Sequence, residues 1–263
     1  MWWLDGPASG RERVGSWRCN ALQALGVAYG FTCGTGHPMD GRVALDAAID
    51  RGSVGRIGHP SPIRSVMTRQ VHGCRAVDAA EMNSETAADA VISSDPTCAA
   101  AVRTADCLPV LLAAADGRQV AAVHAGWRGL VGWAPDREPA TDADGVLESA
   151  VTAGGFAGGV AAIGPALCAA CFEVGPEVAA WFPAVAVYAA PRSRPCPGAR
   201  PASSMDRVWI DLAGAAVRRL RAAGLRQVAV LDRCTRGEPD LCFSYRRSGP
   251  GCGHQAAWIA PAS

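Results

Sequence analysis

The chain has 263 residues, of which 49% are hydrophobic and 19% charged, and its net charge is +1 at neutral pH. That composition suits a folded protein with a sizeable core and excludes an intrinsically disordered one. The balanced charge gives no electrostatic case for nucleic acid as an obligatory partner, and with no lysine in the chain every long cationic side chain is Arg.

In chain order, residues up to about Gly58 are punctuated by glycine and hold one helix-like stretch, RVALDAAID. IRSVMTRQVHG reads as a strand ending at His72 and Gly73. The segment from Ala88 to Gly129 reads as strands broken at Ser93–Pro96, Ala105–Cys107 and Asp116–Gly117, with the DGR turn predicting a hairpin. VGWAPDREPATDADG is polar and Pro-bearing, hence a surface loop. VLESAVTAGG predicts a helix stopped by glycine, VAAIGP a short buried strand and EVAAWF a helix. PRSRPCPGARPASS reads as a second loop. DLAGAAVRRLRAAG is amphipathic: Leu212, Ala215, Ala216, Leu220 and Ala223 share a stripe, with the arginines mostly off it. RQVAVLD predicts a strand, and FSYRRSG follows near the end. Strands and helices mix without a βαβ rhythm or an internal repeat, which predicts a layered α+β domain.

The 11 cysteines are odd in number and scattered, unlike a small secreted disulfide scaffold. The opening MWWLDGPASGRERVG lacks the pattern of a signal peptide, and no apolar run is long enough to span a bilayer. A reducing cytoplasm is the expected compartment, with no membrane partner. There most cysteines are small buried hydrophobes and a few are ligands or nucleophiles.

Three residues stand at the ends of apolar runs: His72, Cys107 and His124. Two imidazoles and a thiolate form a recognised catalytic zinc set, with a fourth position left open. Copper is the other ion that suits this donor set. The competing reading has each histidine capping a strand and Cys107 simply buried.

RQVHG, TADCLPVLL, AAVHAGWRGL, AIGPALCAACFEVG and CFSYRRSG occur in that order. Together, from about Arg64 to Ile259, they resemble the YfiH-type family, also called the laccase-domain or multicopper polyphenol oxidase family. The resemblance implies a single-domain, three-layer α/β/α fold with mixed sheets, residues 59–263 being the catalytic core and 1–58 a divergent N-terminal segment of the same domain. It implies a metal, most often zinc, on His72, Cys107 and His124. The implied activity is phosphorolysis of adenosine, inosine, guanosine and methylthioadenosine, with adenosine deamination. The implied partners are a purine nucleoside and phosphate, on a monomer or weak homo-oligomer. The five histidines (His37, His59, His72, His124 and His254) are too few for a multicopper laccase.

Further positions carry paired expectations. Arg128 and Arg246 are expected to bind phosphate, or else to form salt bridges. Asp106 either orients a ligand or works as an acid/base, with Cys107 and His124 as the other catalytic groups; otherwise it caps a turn. Gln70 reads a base edge or ties to backbone, and Tyr245 stacks on a base or belongs to the core. Cys168 and Cys171 make a C-x-x-C that reads as a tight turn near the site or as a redox pair, and Cys171, the member that matches the family pattern, is expected to contact substrate. Asp89 matches a family position without an evident role.

The chain departs from the family in its early segment. Cys33 stands near an expected Arg, no SLNLG-like stretch follows, and the late TGR reads Cys252-Gly253-His254. VGWAPDREPATDADG looks like an insertion. These changes imply altered specificity. Two other functions are open: a metal-free cysteine hydrolase that edits peptidoglycan precursors, with Cys107 as nucleophile, and a non-catalytic binding relic.

Overall fold

The two apolar runs on either side of Asp116–Gly117 fold as an antiparallel hairpin in the middle of a six-stranded sheet. The computed structural model describes residues 1–5, 15–33, 63–189, 196–199 and 203–263. The helix-like stretch at 42–50 lies outside them. In chain order the strands are β1 (Trp2–Asp5), β2 (Gly15–Cys19), β3 (Ala28–Cys33), β4 (Arg64–Val66), β5 (Ala76–Asp78), β6 (Ala90–Ser93), β7 (Cys98–Thr104) and β8 (Leu108–Ala113). They continue with β9 (Val120–Ala125), β10 (Val160–Ile163), β11 (Glu173–Val174), β12 (Val187–Tyr188), β13 (Val208–Ile210), β14 (Gln227–Val230) and β15 (Gln255–Ala260).

One sheet runs β1-β2-β3-β15-β7-β4, the other β14-β10-β8-β9-β6-β5, and β11-β13-β12 form a small third. Both large sheets mix parallel and antiparallel pairs, as in β4 with β7 and β5 with β6 against their antiparallel neighbours. The N-terminal strands belong to the first sheet, because β3 pairs with both β2 and the C-terminal β15.

Side-chain alternation sets the layers. On β8, Leu108, Val110 and Leu112 join the core beneath the helices Val146–Gly154 and Leu212–Ala222. Leu111 and Ala113 face the other way, into a core shared with Phe31, Val102 and Ile259 of the first sheet. Strands buried on both faces read as unbroken apolar runs, which is why β8 and β9 lack polar alternation. The chain is thus a single α+β domain. Its described residues stack as helices, second sheet, first sheet.

The helices follow their sequence signals. Asp211 caps Leu212–Ala222 by accepting from the Gly214 amide at 2.8 Å, and Leu212, Ala215, Ala216 and Leu220 are its buried stripe. Val146–Gly154 stops at Gly155, whose φ of 62° is the left-handed turn glycine tolerates best. No helix among the described residues is long and apolar enough to cross a membrane.

The hairpin register positions the site. Leu108 at the start of β8 lies opposite Ala125 at the end of β9, so Cys107 and His124 meet at one rim. β6 flanks β9 on its other side, and the His124 amide donates to the Asp89 carbonyl at 2.7 Å, which brings Asp89 to the same rim. The strand read through to His72 is shorter than expected. It ends at Val66, and His72 sits in a loop with φ of 61°.

Candidate metal centre

That loop is shaped by a carboxylate. Asp89 is fully buried, and its two oxygens accept from the amides of Val71, His72 and Gly73 at 3.2, 2.9 and 2.7 Å. Its Oδ1 also lies 2.7 Å from His124 Nδ1. Three converging amides force the backbone to curl around the carboxylate, and His72 takes the left-handed conformation that the curl needs. The Asp89 contact fixes His124 with Nδ1 protonated and Nε2 turned to the rim.

The three expected ligands come together. One donor atom each from His72, Cys107 and His124 lies within 4.8 Å of the others, and the two imidazoles meet edge to face with centroids 4.7 Å apart. Gly126 lies against all three. A Cβ there would stand 2.8 Å from His72 Cδ2 and 3.2 Å from Cys107 Sγ. The donors are soft sulfur and imidazole, three in number, on a rim open to a cavity, which fits a thiophilic metal ion such as zinc or copper with one coordination position free.

Charge within the trio is strongly coupled. Burial pushes the Cys107 thiol up, but the His124 charge and hydrogen bonds from His124 and His72 outweigh burial and bring its pKa down to about 6. Burial disfavours the His124 cation, yet the Cys107 thiolate and Asp89 raise its pKa to about 9. Asp89 is held below the usual carboxylate range: burial opposes this, but the His124 contact and the loop amides prevail. Without a metal, the centre is a thiolate–imidazolium pair backed by a carboxylate.

Beside the trio opens a cavity of about 390 Å³. Tyr245 and Arg246, at the start of the short helix Tyr245–Ser248, line it as expected. Gln70 also lines it, but its Nε2 donates to the Arg103 carbonyl at 2.8 Å and its Oε1 accepts from the Arg103 amide at 2.9 Å. The side chain pairs with β7 like an added strand residue. Asp106 is buried with φ of 102°, and its carboxylate accepts from Thr235 Oγ1 at 2.5 Å and from the Arg246 amide at 2.6 Å. With both oxygens engaged in this way, Asp106 is an organiser of the cavity wall.

Two expected contacts are not brought to the cavity. Arg128 is exposed, its guanidinium 4.7 Å from the Trp127 ring and 5.0 Å from the Trp133 ring. Cys171 is buried, and its sulfur lies 3.5 Å from Cys196 on the far side of the wall. Sequence reasoning missed Arg103 and Phe172, which line the cavity, and it noted His254 only as a departure from the family motif. Arg103 had a local signal, being the one charged residue in the apolar run CAAAVRT that forms β7.

A mixed-sheet α+β fold carrying a His-Cys-His donor set at a strand rim defines a narrow class of protein. A sequence profile of the multi-copper polyphenol oxidoreductase laccase family matches residues 53–262, and the chain belongs to that family. It is 38% identical over 191 residues to the purine nucleoside phosphorylase YfiH of Escherichia coli K12, covering 71% of this chain and 70% of the relative. It is 39% identical over 181 residues to purine nucleoside phosphorylase PA4543 of Pseudomonas aeruginosa, covering 68% and 67%. It is 33% identical over 201 residues to adenosine deaminase RL5 from an unknown prokaryotic organism, covering 72% and 71%. Among solved structures, Neisseria meningitidis NMB0706 superposes with a TM-score of 0.68 at 29% identity, covering 100% of this chain and 99% of that one. YlmD of Geobacillus stearothermophilus has the same fold, with a TM-score of 0.71 at 23% identity over 99% of both chains.

Proposed function

We propose that this chain is a zinc-dependent purine nucleoside phosphorylase of the cytoplasm, acting on adenosine, inosine, guanosine and methylthioadenosine, with adenosine deamination as a secondary activity. One observation carries the reading: the donor atoms of His72, Cys107 and His124 converge at the wall of a cavity that also holds a guanidinium and aromatic rings. Relatives named for both activities support it.

His72, Cys107 and His124 would hold the metal, which when bound supplies Lewis acidity at the cavity wall. Asp89 orients His124 and shapes the loop that carries His72. Arg246, expected from sequence, offers charge for phosphate, and Arg103 on the same cavity wall takes the second place expected for Arg128. Tyr245 and Phe172 provide faces for a purine. Gln70 and Asp106 act as positioning residues, one on the backbone of β7 and one on the Arg246 amide. Laccase chemistry is not part of this reading, because the other ligand cluster among the described residues contains no histidine.

A second reading rests on the line Cys107–His124–Asp89, which has the form of an activated nucleophile, its base and an orienting carboxylate. It makes the chain a cysteine hydrolase acting on an amide such as a peptidoglycan precursor. The deciding experiment is phosphate-dependent adenosine cleavage before chelation, after chelation, and after zinc is restored. Loss and recovery support the phosphorylase. Amide hydrolysis that survives chelation and His72→Ala, but not alkylation of Cys107, supports the hydrolase.

A further inference from the structure

A second ligand cluster lies behind the cavity wall. The sulfurs of Cys168, Cys171, Cys196 and Cys234 all lie within 4.8 Å of one another, and Cys171 and Cys196 approach to 3.5 Å. We propose that these four cysteines form a closed structural metal site that takes one zinc ion in a four-thiolate tetrahedron.

The spacing fits. A zinc–sulfur bond of about 2.3 Å sets the edge of such a tetrahedron at roughly 3.8 Å. All four cysteines are unpaired thiols, and 3.5 Å is well beyond the roughly 2.05 Å of a disulfide. Neither histidine nor carboxylate belongs to the cluster, so its softness selects zinc over harder ions. Four protein ligands leave no open position, which marks a structural site as opposed to a catalytic one.

The backbone is built around the sulfurs. The C-x-x-C segment is a tight turn in which the Cys171 and Phe172 amides donate to the Cys168 carbonyl at 2.9 and 3.0 Å. A parallel bridge between Ala166 and Cys234 lays the second segment alongside it. Beyond Cys234 the chain turns again, with the Gly237 and Glu238 amides donating to the Cys234 carbonyl, both at 3.1 Å. Cys196 comes from a third segment that seats on this turn through two glycines. A Cβ on Gly237 would stand 2.8 Å from Cys196 Sγ, and one on Gly198 would stand 2.9 Å from the Arg236 carbonyl carbon.

The cluster is joined to the first site through its neighbours in sequence. Leu167 and Phe172, next to Cys168 and Cys171, line the cavity. Thr235, next to Cys234, holds Asp106. A metal here clamps three segments, of which the first gives Leu167 and Phe172 to the cavity wall and the second holds Asp106 of that wall through Thr235. It is bound with loss of the thiol protons, and its affinity falls in acid.

The test is metal content of the full-length protein purified without chelator. The wild type is expected to hold two zinc ions per chain, Cys196→Ser one and Cys107→Ala one. Cobalt loaded into Cys107→Ala gives the intense sulfur-to-cobalt absorption of four thiolates, which reads the second site even where Cys196→Ser fails to fold. Cys107→Ala retaining no metal would overturn the proposal. So would iron in place of zinc, or an intact mass two daltons low from a disulfide within the four.

Discussion

The carboxylate of Asp89 lies 2.7 Å from His124 Nδ1, and the same oxygen accepts the backbone amide of His72 at 2.9 Å. One buried group therefore sets the ring orientation of one proposed metal ligand and the backbone of another. Asp89→Asn keeps the shape but must turn an NH₂ toward an amide or toward His124. Zinc affinity is expected to fall about 10- to 100-fold, measured by competition against a chromogenic chelator. Unchanged affinity would remove Asp89 from the centre.

Gly126→Ala tests the packing of the trio. The new Cβ would stand 2.8 Å from His72 Cδ2, closer than real contacts allow. The backbone φ of Gly126 is −66°, which alanine tolerates, so the strain falls on the ligands. The variant is expected to fold with unaltered circular dichroism and to lose metal binding at the proposed His72–Cys107–His124 centre. Full retention of that metal would contradict the geometry.

The metal-free protein has a defined pH window. The Cys107 pKa is lowered from 9.0 to about 6, so its contribution to stability is complete above 9 and lost as pH falls through about 6. The His124 pKa is raised from 6.5 to about 9, so its contribution is complete below 6.5 and lost as pH rises through about 9. Stability of the metal-free chain is expected to peak between those limits. Alkylation of Cys107, followed by peptide mass mapping, is expected to have its midpoint near pH 6. A midpoint at an ordinary thiol value would contradict the coupling.

Arg246 and Arg128 separate cleanly. Arg246 lines the cavity, while Arg128 lies exposed against two tryptophans. A charge-assisted contact is worth about 1.5–3 kcal/mol. Arg246→Ala is therefore expected to raise KM for phosphate at least tenfold, with a smaller change for nucleoside. Arg128→Ala is expected to leave both within a factor of two. The reverse pattern in steady-state kinetics would return the anion site to Arg128.

What could be read from the sequence followed from local pattern. The β8–β9 hairpin was legible because two apolar runs flank a DGR turn, and its register alone carries Cys107 to His124. The apolar stripe of Leu212–Ala222 was legible for the same reason. The conformation of His72 was not, because it depends on a carboxylate 17 residues away in sequence. Gln70 looked like a base-reading amide, but its partner backbone lies 33 residues on. Arg128 read as a phosphate contact or a salt bridge, and its seat against Trp127 and Trp133 depends on how the chain beyond it folds back. The four-cysteine cluster showed only its C-x-x-C, since Cys196 and Cys234 arrive from distant segments.

The central claim is that the centre built on His72, Cys107 and His124 drives phosphorolysis. It is tested most directly by product analysis of adenosine incubated with the zinc-loaded enzyme, with and without phosphate, beside Cys107→Ala. The account predicts adenine and ribose 1-phosphate appearing only when phosphate is present, and their loss in Cys107→Ala. Inosine forming equally in both conditions with no adenine, or no turnover of any purine nucleoside, would contradict it.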